Sequence, residues 1–455
     1  MGKNILIFSD GTGQRGGLQF DERRSNIYKL FRATRCGPDS SVDPSLQLAF
    51  YDPGLGTLPG GLGLVGMVWR KIYNLASQAT GLGITANIID CYAAIISLWR
   101  PGDRIFLFGF SRGAYTVRCV GGVLALCGVP TCMKGGEPLK LDPASARRIA
   151  SEAVKKVYQH VSSPKDAPHL AQRVALAAQF RANHGADHDG QSNAFPYFIG
   201  VFDTVASLGS YGLFAALSAI AVLVVVVASF LLSYLAWSFS FWLMVLGGGA
   251  VVAAAVAYVA THLKFAVGLP GFTFWDTLHF AAPTFRFYDQ TLNPNVSYAR
   301  HSLSIDEARA DFDRVPWGSP RDSRDTQPPW LEQVWFAGNH SDVGGSYPEN
   351  EARLSDISLE WMTNEARSLP NGIIIDKGVL HLYPSPAGMQ HDETKTSVFR
   401  YARRKIRSVP ADAPLHPSVF ERFDVPAVLH YDVMAAYRPE GLRNHHRCRQ
   451  YYEPS

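Results

Sequence analysis

The sequence predicts an α/β fold with a doubly wound, mostly parallel sheet into which a pair of membrane-spanning helices is inserted. Short apolar segments alternate with amphipathic helical patterns along the chain, which is typical of a parallel sheet covered by helices on both faces. Sixty consecutive residues, 204–263, carry no Asp, Glu, Lys or Arg, and they interrupt this alternation. A glycine-flanked serine directly after one apolar segment indicates where the chemistry lies.

Five apolar segments predict the strands of the sheet. Each is short and apolar on both faces, as expected for a parallel strand that is buried on both sides. They are Ile5–Ser9, Leu46–Tyr51, Arg104–Gly109, Tyr197–Asp203 and Gln333–Gly338. Helical patterns cover residues 84–99, 146–160 and 357–368. Strands that alternate with helices in this way predict a doubly wound sheet.

The predicted domains follow from these elements. Residues 1–210 and 264–371 form one α/β domain, residues 211–263 form the inserted hairpin, and residues 372–455 form a smaller C-terminal lobe. A net charge of +4 is small for 455 residues and argues against a nucleic-acid binder. The six cysteines lack CxxC pairs and metal-ligand spacing, so we expect buried thiols and neither a metal nor a cofactor.

The hairpin is predicted from two apolar runs, 211–236 and 241–260. Each is long enough to cross a hydrocarbon core of ~30 Å as a helix. Aromatic residues lie between the runs, where an interfacial belt is expected: Trp237, Phe239, Phe241 and Trp242. Lys264 after the second run favours a cytoplasmic catalytic domain, and we expect a bacterial inner-membrane protein. A buried helix pair in a soluble enzyme is the alternative.

The candidate nucleophile is Ser111. An apolar strand leads into the G-x-S-x-G sequence Gly109–Gly113, and a helical segment follows it. This context is typical of a nucleophile elbow, whose tight turn needs small residues two before and two after the serine. The amide of the next residue, Arg112, is then expected to face the developing oxyanion beside the positive end of the helix. The sheet is therefore predicted to be of the α/β-hydrolase type.

A nucleophilic serine needs a base, and the base needs a carboxylate that orients it. In this fold the chain order is serine, acid, histidine. Asp203 ends the next apolar strand, and His340 follows the strand segment after the hairpin. Asp342 and Asp276 are alternatives for the acid, and His301 is an alternative for the base.

The loop after the first strand reads Ser9-Asp10-Gly11-Thr12-Gly13. We expect Asp10, Gly11 and Thr12 to line the site, where backbone N–H groups of this loop help to hold the tetrahedral intermediate. Alternatively, Asp10 binds a metal together with His340 and Asp342, as in a phosphohydrolase. That alternative leaves the serine turn unexplained.

Basic residues cluster twice near the C-terminus. A solvated basic face is the simplest explanation of the clusters, and contact with anionic lipid headgroups is the alternative. The first cluster consists of Arg400, Arg403, Arg404, Lys405 and Arg407, and the second of Arg443, Arg447 and Arg449.

Several segments together resemble the type VI secretion phospholipase-effector family of serine hydrolases. They are FSDGTG (8–13), YDPGLGT (51–57), PGDRIFLFGFSRGAYTVR (101–118), GVFDTVASLG (200–209), ARHSLSIDEARADF (299–312), WFAGNHSDVGGSY (335–347) and LHPSVFER (415–422). The resemblance implies an α/β-hydrolase fold, a triad of Ser111, Asp203 and His340, and hydrolysis of lipid esters. The apolar hairpin after Asp203 is a departure that puts a secreted role in doubt.

These observations predict a membrane-associated serine hydrolase that cleaves carboxylic esters. Membrane lipid is expected to be both substrate and anchor, so the activity is that of a lipase or phospholipase. Three alternatives stay open: a tethered esterase for a non-lipid acyl substrate, a secreted antibacterial effector, and a metal-dependent phosphohydrolase. The sequence does not identify a protein partner.

Overall fold

The structure is a computed structural model. It describes residues 2–11, 23–54, 82–205, 211–281, 291–312, 314–315, 317–318, 327–395 and 403–452.

The described strands form one large sheet and three small ones. The large sheet contains β1 (Asn4–Ser9), β2 (Gln47–Asp52), β3 (Arg104–Phe110), β6 (Pro196–Phe202), β9 (Tyr298–Ser304) and β10 (Leu331–Phe336). The antiparallel pairs are β4 (Asp187–His188) with β5 (Gln191–Ser192), β7 (Leu263–Lys264) with β8 (His279–Phe280), and β11 (Val428–His430) with β12 (Val433–Ala435).

The six strands of the large sheet are all parallel and lie in the order β10–β9–β6–β3–β1–β2. The chain begins at β1, continues outward to β2 and then returns to β3 on the other side of β1. The strand order therefore reverses between β1 and β3, where α/β sheets open a crevice at the carboxyl ends of their strands. The predicted parallel α/β sheet is confirmed.

Helices cover both faces of this sheet. The α-helices of the described chain are α1 (Asn26–Thr34), α2 (Leu82–Leu98), α3 (Arg112–Cys127), α4 (Pro143–Glu152), α5 (Leu170–His184), α6 (Tyr211–Ser233), α7 (Phe239–His262), α8 (Phe274–Thr277), α9 (His340–Gly344), α10 (Arg353–Ser368) and α11 (Pro417–Asp424), of which α1–α5 and α10 pack on the sheet. Side chains alternate along each strand, so Ile5 and Ile7 of β1 pack with α2–α5 while Leu6 and Phe8 pack with α1 and α10. This burial on both faces explains the continuous apolar strand segments.

Strand β9 is absent from the sequence prediction. Its residues include Arg300, His301, Ser302 and Ser304, which are polar and yet fully buried. Arg300 is tolerated there because its Nε donates to Glu365 Oε2 at 2.6 Å and its Nη1 to the carbonyl oxygen of Pro329. A hydrophobic pattern cannot identify a strand whose burial depends on ion pairs and hydrogen bonds.

Residues from the C-terminal region complete the core at the β9–β10 end of the sheet. Val409, Leu415 and Val419 pack against Leu303 and Trp335 of these strands. The backbone of Trp335 also bonds to Pro414 and His416. This packing brings the C-terminal region close to the carboxyl end of the sheet.

The inserted segment forms two helices, α6 and α7, which pack against each other. Gly247 of α7 faces α6, since a Cβ on it would lie 4.0 Å from Val225 Cγ1. In the described part of the chain, α7 alone is long and apolar enough to cross a membrane, and the side chains of α6 that the structure describes, Ser218–Ser233, form a shorter apolar helix. The structure thus supports one candidate membrane helix instead of the two that the sequence predicts.

Candidate active site

Ser111 occupies a strained turn between β3 and α3. Its backbone has φ +57° and ψ −120°, a conformation that costs a non-glycine residue about 1–3 kcal/mol. A Cβ on Gly109 would lie 2.4 Å from Gly113 O, and one on Gly113 would lie 2.0 Å from Ser9 O. Neither position can therefore accept a larger side chain. The predicted strand–turn–helix geometry around Ser111 is confirmed.

The loop after β1 lies beside this turn. Ser9 pairs with Gly109 across the sheet, and a Cβ on Gly11 would be 3.5 Å from Ser111 Cβ. The Gly11 N–H donates to Asp10 Oδ1 at 2.7 Å, so that amide is already engaged. Thr12 lies outside the described residues. Arg112 begins α3, and its N–H belongs to the first helical turn, which has no intrahelical acceptors.

Asp10 is held by a buried network instead of facing solvent. Its Oδ2 accepts hydrogen bonds from the Ser25 hydroxyl and, at 2.8 Å, from the Tyr51 hydroxyl. Burial raises the pKa of Asp10 to about 7, although these hydrogen bonds oppose the shift. Asp10 therefore fixes the loop next to Ser111.

The raised pKa of Asp10 predicts a pH-dependent stability. The folded state retains a proton on Asp10 between the unfolded pKa of about 3.9 and the folded pKa of about 7, and the unfolded state does not. The free energy of unfolding should therefore decrease as pH rises through this window, by up to ~1.4 kcal/mol per pH unit from this group. In Asp10→Asn, the Tm measured in detergent should depend less on pH between 4 and 7. An unchanged pH dependence would contradict the burial of a protonated Asp10.

Asp203 and His340 are brought together at the carboxyl ends of β6 and β10. His340 Nδ1 and Asp203 Oδ2 lie 2.6 Å apart, and both side chains are almost fully buried. Asp203 Oδ1 accepts a further bond from the Ser304 N–H at 3.0 Å. These contacts fix the orientation of the imidazole and place the proton of a neutral His340 on Nδ1.

The second ring nitrogen of His340, Nε2, is also buried, and it has no hydrogen-bond partner among the described residues. The ring of Phe110, which directly precedes Ser111, lies 4.7 Å from the His340 ring between centroids. Helix α9 packs so tightly on Phe110 that a Cβ on Gly344 would lie 1.9 Å from that ring. His340 is therefore held beside the turn that carries Ser111.

Arg407 binds Asp203 through both of its terminal nitrogens. Nη1 lies 2.5 Å from Oδ1 and Nη2 lies 3.0 Å from Oδ2, and Arg407 is buried. Arg407 also donates to the carbonyl oxygens of Ser304 and Phe312. The sequence placed Arg407 in a basic surface cluster, which is wrong for this residue. No local pattern could pair it with an acid 204 positions away.

The charges around the dyad favour a neutral histidine and an ionised acid. Burial alone would raise the pKa of Asp203, but the Arg407 guanidinium and the His340 hydrogen bond hold it well below its usual value. Burial lowers the pKa of His340, and the charge of Asp203 opposes that shift. His340 is therefore a neutral imidazole at pH 7, able to accept a proton on Nε2.

The alternative residues have other partners. His301 lies within β9, where its Nε2 accepts from the Thr204 N–H at 3.3 Å and burial lowers its pKa to about 3.

The alternative acids are also engaged elsewhere. Asp342 Oδ1 pairs with His391 Nδ1 at 2.7 Å. Asp276 caps the short surface helix α8. The structure brings neither Asp342 nor Asp276 to His340 in the way that it brings Asp203.

Asp342 and His391 form a second buried pair that anchors α9. Asp342 Oδ2 accepts from the N–H groups of Asn339 and His391, both at 3.0 Å, and His391 Nε2 lies 3.2 Å from Glu351 Oε2. Burial opposes protonation of His391, but Asp342 and Glu351 outweigh it and raise its pKa. The sequence prediction missed this pair, whose members lie 49 residues apart.

The metal alternative requires Asp10, His340 and Asp342 to share one ion. Each of them is instead engaged with a different partner: Asp10 with Ser25 and Tyr51, His340 with Asp203, and Asp342 with His391. In the described parts of the chain, no group of three or more His, Cys, Asp and Glu side chains is arranged to hold a metal ion. The geometry does not favour the phosphohydrolase alternative.

The family comparison matches residues 3–232 and 258–365 to the catalytic domain of Tle1-like phospholipase effectors of the type VI secretion system. The match covers more than half of the chain, including Ser111, Asp203 and His340. The chain belongs to the Tle1-like family. The predicted resemblance is thereby confirmed. Arg407 and His391 lie beyond the matched residues of the Tle1-like domain.

Individual proteins are more distant. An uncharacterised protein of Saccharomyces cerevisiae is 30% identical over 213 residues, which are 46% of this chain and 27% of that relative. An uncharacterised protein from Pseudomonas aeruginosa has a TM-score of 0.37 at 16% identity, over 84% of this chain and 48% of that one. A Tle1 effector bound to a VgrG spike has a TM-score of 0.29 at 16% identity, over 76% and 51%. The chain thus covers about a quarter to a half of these relatives' lengths.

Replacing each of the two candidate acids with asparagine distinguishes their roles. Asp203→Asn should lower kcat by about 10⁴-fold, because an amide at this position favours the wrong histidine tautomer. Asp342→Asn should act through the position of α9 and cost much less in kcat. Hydrolysis of a water-soluble ester by the two purified variants measures both effects. If Asp342→Asn were crippling and Asp203→Asn mild, Asp342 would be the acid.

Arg407 should control the pH dependence of the reaction. In the wild type, the lowered pKa of His340 should keep kcat/KM near its plateau below pH 6.5, the ordinary histidine value. In Arg407→Gln, Asp203 loses its cation and its charge acts more strongly on His340, so the acid limb should move to higher pH. Arg404→Gln is the control, because Arg404 donates to Thr394. If Arg407→Gln were less stable but showed the same pH dependence of kcat/KM as the wild type, the role of Arg407 would be structural only.

Proposed function

We propose that this protein is a membrane-associated serine hydrolase that cleaves carboxylic ester bonds of lipids, as a lipase or phospholipase. The observation that carries the proposal is the position of His340. Its Nδ1 is bonded to Asp203 at 2.6 Å, and its buried Nε2 has no hydrogen-bond partner among the described residues and lies beside the strained turn that carries Ser111. This arrangement has the parts of a Ser–His–Asp triad.

The proposed reaction proceeds through an acyl-enzyme. Ser111 Oγ attacks the ester carbonyl carbon while His340 Nε2 takes the hydroxyl proton. The tetrahedral intermediate collapses when the same nitrogen returns that proton to the leaving alcohol. Water then attacks the acyl carbon while His340 Nε2 takes one of its protons. This second tetrahedral intermediate breaks its bond to Ser111 Oγ, which receives that proton from His340, and the fatty acid is released. Asp203 stabilises the imidazolium in each step, and the Arg112 amide is the proposed oxyanion donor.

Lipid is the proposed substrate for two reasons. The family is described as one of phospholipase effectors. In addition, the chain inserts a strongly apolar pair of helices only a few residues after Asp203. A hydrolase held at a bilayer meets lipid esters by a short path.

We also propose that α7 crosses a bilayer, with α6 packed beside it. None of the apolar window of α7 is buried within the protein, and its mean hydropathy is 2.2. Val251, Val252 and Val256 are each more than 60% exposed. A helix of a soluble core would bury such residues, and exposed apolar surface of this extent marks a membrane or partner contact. This observation disfavours the buried-pair alternative, and a cytoplasmic catalytic side remains our proposal from Lys264.

A secreted effector is the second candidate, favoured by the family description. Cell fractionation distinguishes it from a resident enzyme. A resident enzyme should remain in the membranes of the producing cell and resist carbonate extraction. Recovery in the medium without detergent would favour the effector role.

Lipid hydrolysis by purified protein tests the proposed activity. Full-length protein in detergent is incubated with mixed phospholipids, and released fatty acids and lysophospholipids are identified by mass spectrometry. Wild type and the nearby control Ser341→Ala should release products, and Ser111→Ala should not. Cleavage of a soluble ester without any release from phospholipids would favour the non-lipid esterase. Product formation by Ser111→Ala would overturn the serine mechanism.

A further inference from the structure

The loop that follows α7 exposes five large apolar side chains within 16 residues of sequence. We call this surface the aromatic ledge, and it consists of Phe265, Val267, Phe274, Trp275 and Phe280. Val267 is 75% exposed and Trp275 is 76% exposed. The rings of Phe265 and Phe274 lie 5.7 Å apart, and those of Phe274 and Trp275 lie 5.3 Å apart. Clustered exposure of this kind indicates a binding surface, whereas single exposed apolar residues do not.

The loop is fixed from its inner side. Thr277 is buried, and its Oγ1 accepts from the Ala266 N–H at 3.0 Å while donating to the Ala266 carbonyl at 3.1 Å. Gln172 of α5 donates to the carbonyl oxygen of Asp276 at 2.8 Å, and His279 Nε2 lies 2.9 Å from the His160 carbonyl oxygen. One face of the loop is thus bonded to the α/β domain, and its other face is apolar and exposed.

The same loop is bonded to the end of α7. Leu263 and Lys264, directly after the helix, pair with Phe280 and His279, and the Ala281 N–H donates to the His262 carbonyl at 2.8 Å. At 1.5 Å per residue, the 24 residues of α7 extend about 36 Å, slightly more than a hydrocarbon core of ~30 Å. If α7 crosses a bilayer, the ledge therefore lies at the depth where the helix leaves it.

Aromatic residues mark the opposite end of α7 as well. Trp237 is 66% exposed, and its ring contacts that of Phe241 at 4.1 Å between centroids. Trp and Tyr side chains are enriched at both membrane–water interfaces, and Phe occurs with Trp on the apolar face of interfacial helices. The chain thus places an aromatic group at each end of an apolar helix of bilayer length.

We propose that the aromatic ledge docks into the headgroup–acyl boundary of the bilayer that α7 crosses, and that it fixes the α/β domain against the membrane surface. The ledge is a second, interfacial contact in addition to the spanning helix. Because α7 and the helix α6 beside it join the α/β domain at one place, this second contact would set the orientation of the domain. The inference rests on the proposed membrane insertion of α7 and is independent of the catalytic assignment.

Environment-sensitive probes test the ledge separately from the helix. Cys36 and Cys132, which are only partly buried, are first changed to serine to prevent labelling. Single cysteines carrying a nitrobenzoxadiazole probe are then introduced as Val251→Cys in α7, Val267→Cys in the ledge and Tyr383→Cys as a control. Tyr383 is exposed, and its N–H bonds to Asp356 of α10, on the opposite face of the sheet from α5. Each protein is reconstituted into phosphatidylcholine vesicles, with soluble-ester hydrolysis as a check of folding.

The expected result is a blue-shifted, several-fold brighter probe at 251 and 267 but not at 383. Lipids brominated near the headgroup should quench position 267 most, and lipids brominated deep in the chain should quench position 251 most. A buried probe at 251 with a water-like probe at 267 would overturn the ledge and leave the membrane helix intact. Water-like probes at both positions would overturn both proposals. If the probe at position 267 were shielded from water in the absence of lipid, and more so at higher protein concentration, the ledge would instead contact a second copy of the chain.

Discussion

Replacing Ser111 with alanine is expected to lower kcat on a soluble ester by about a million-fold, the loss typical of a triad serine. The reason is that Ser111 Oγ forms the bond to the acyl carbon, and no other group on the described turn offers a nucleophile there. The strained backbone at φ +57° is retained with alanine, so the Tm should change little. Steady-state kinetics and a thermal scan of the same preparation measure both quantities.

Ser341→Ala is the matched control for this variant. Ser341 follows His340 directly in α9, and its backbone N–H bonds to Asn339. Its hydroxyl has no role in the proposed reaction, so the variant should keep nearly full activity. Equal losses in the two variants would indicate a general disturbance of the site, and undiminished turnover by Ser111→Ala would refute the assigned nucleophile.

Replacing His340 with alanine is expected to be nearly as damaging, with a loss of about 10⁵–10⁶-fold in kcat. A serine hydroxyl without a base is a weak nucleophile, and removal of either member costs nearly as much as removal of both. The double variant Ser111→Ala/His340→Ala should therefore be no slower than Ser111→Ala alone. If the fold losses in kcat of the two single variants multiplied in the double variant, the two residues would act independently.

His301→Gln is the comparison that the structure offers for the base. His301 is also buried near Asp203, but its Nε2 is occupied by the Thr204 N–H. A glutamine there retains an acceptor for that bond, and kcat should change far less than in His340→Ala. If His301→Gln lost its activity and His340→Ala kept its activity, His301 would be the base.

The sequence allowed the sheet and the serine turn to be predicted because both depend on local patterns. Strands buried on both faces require continuous apolar residues, and the turn requires glycine at positions 109 and 113 because backbone atoms lie within 2.4 Å of any added Cβ. The positions of Asp203 and His340 follow from the rule that site residues lie at the carboxyl ends of strands. These predictions needed no knowledge of distant contacts.

The features that the sequence did not predict depend on contacts between distant parts of the chain. Strand β9 is polar in sequence, and its burial depends on partners such as Glu365 for Arg300. Arg407 looks like part of a basic surface cluster until the fold places it on Asp203. Similarly, Asp342 lies two residues from His340 in sequence, yet it serves His391. Spacing alone could not separate the acid that orients His340 from the acid that anchors its helix.

The most direct test of the central claim is to identify the residue that reacts with a fluorophosphonate. The purified full-length protein is treated with the probe and digested, and the modified peptide is sequenced by mass spectrometry. We expect a single rapid adduct on Ser111 that forms at least several hundred-fold more slowly in His340→Ala, because the hydroxyl then lacks its base. An adduct on another residue, or equal labelling of Ser111 in wild type and His340→Ala, would contradict the assignment of Ser111 and His340.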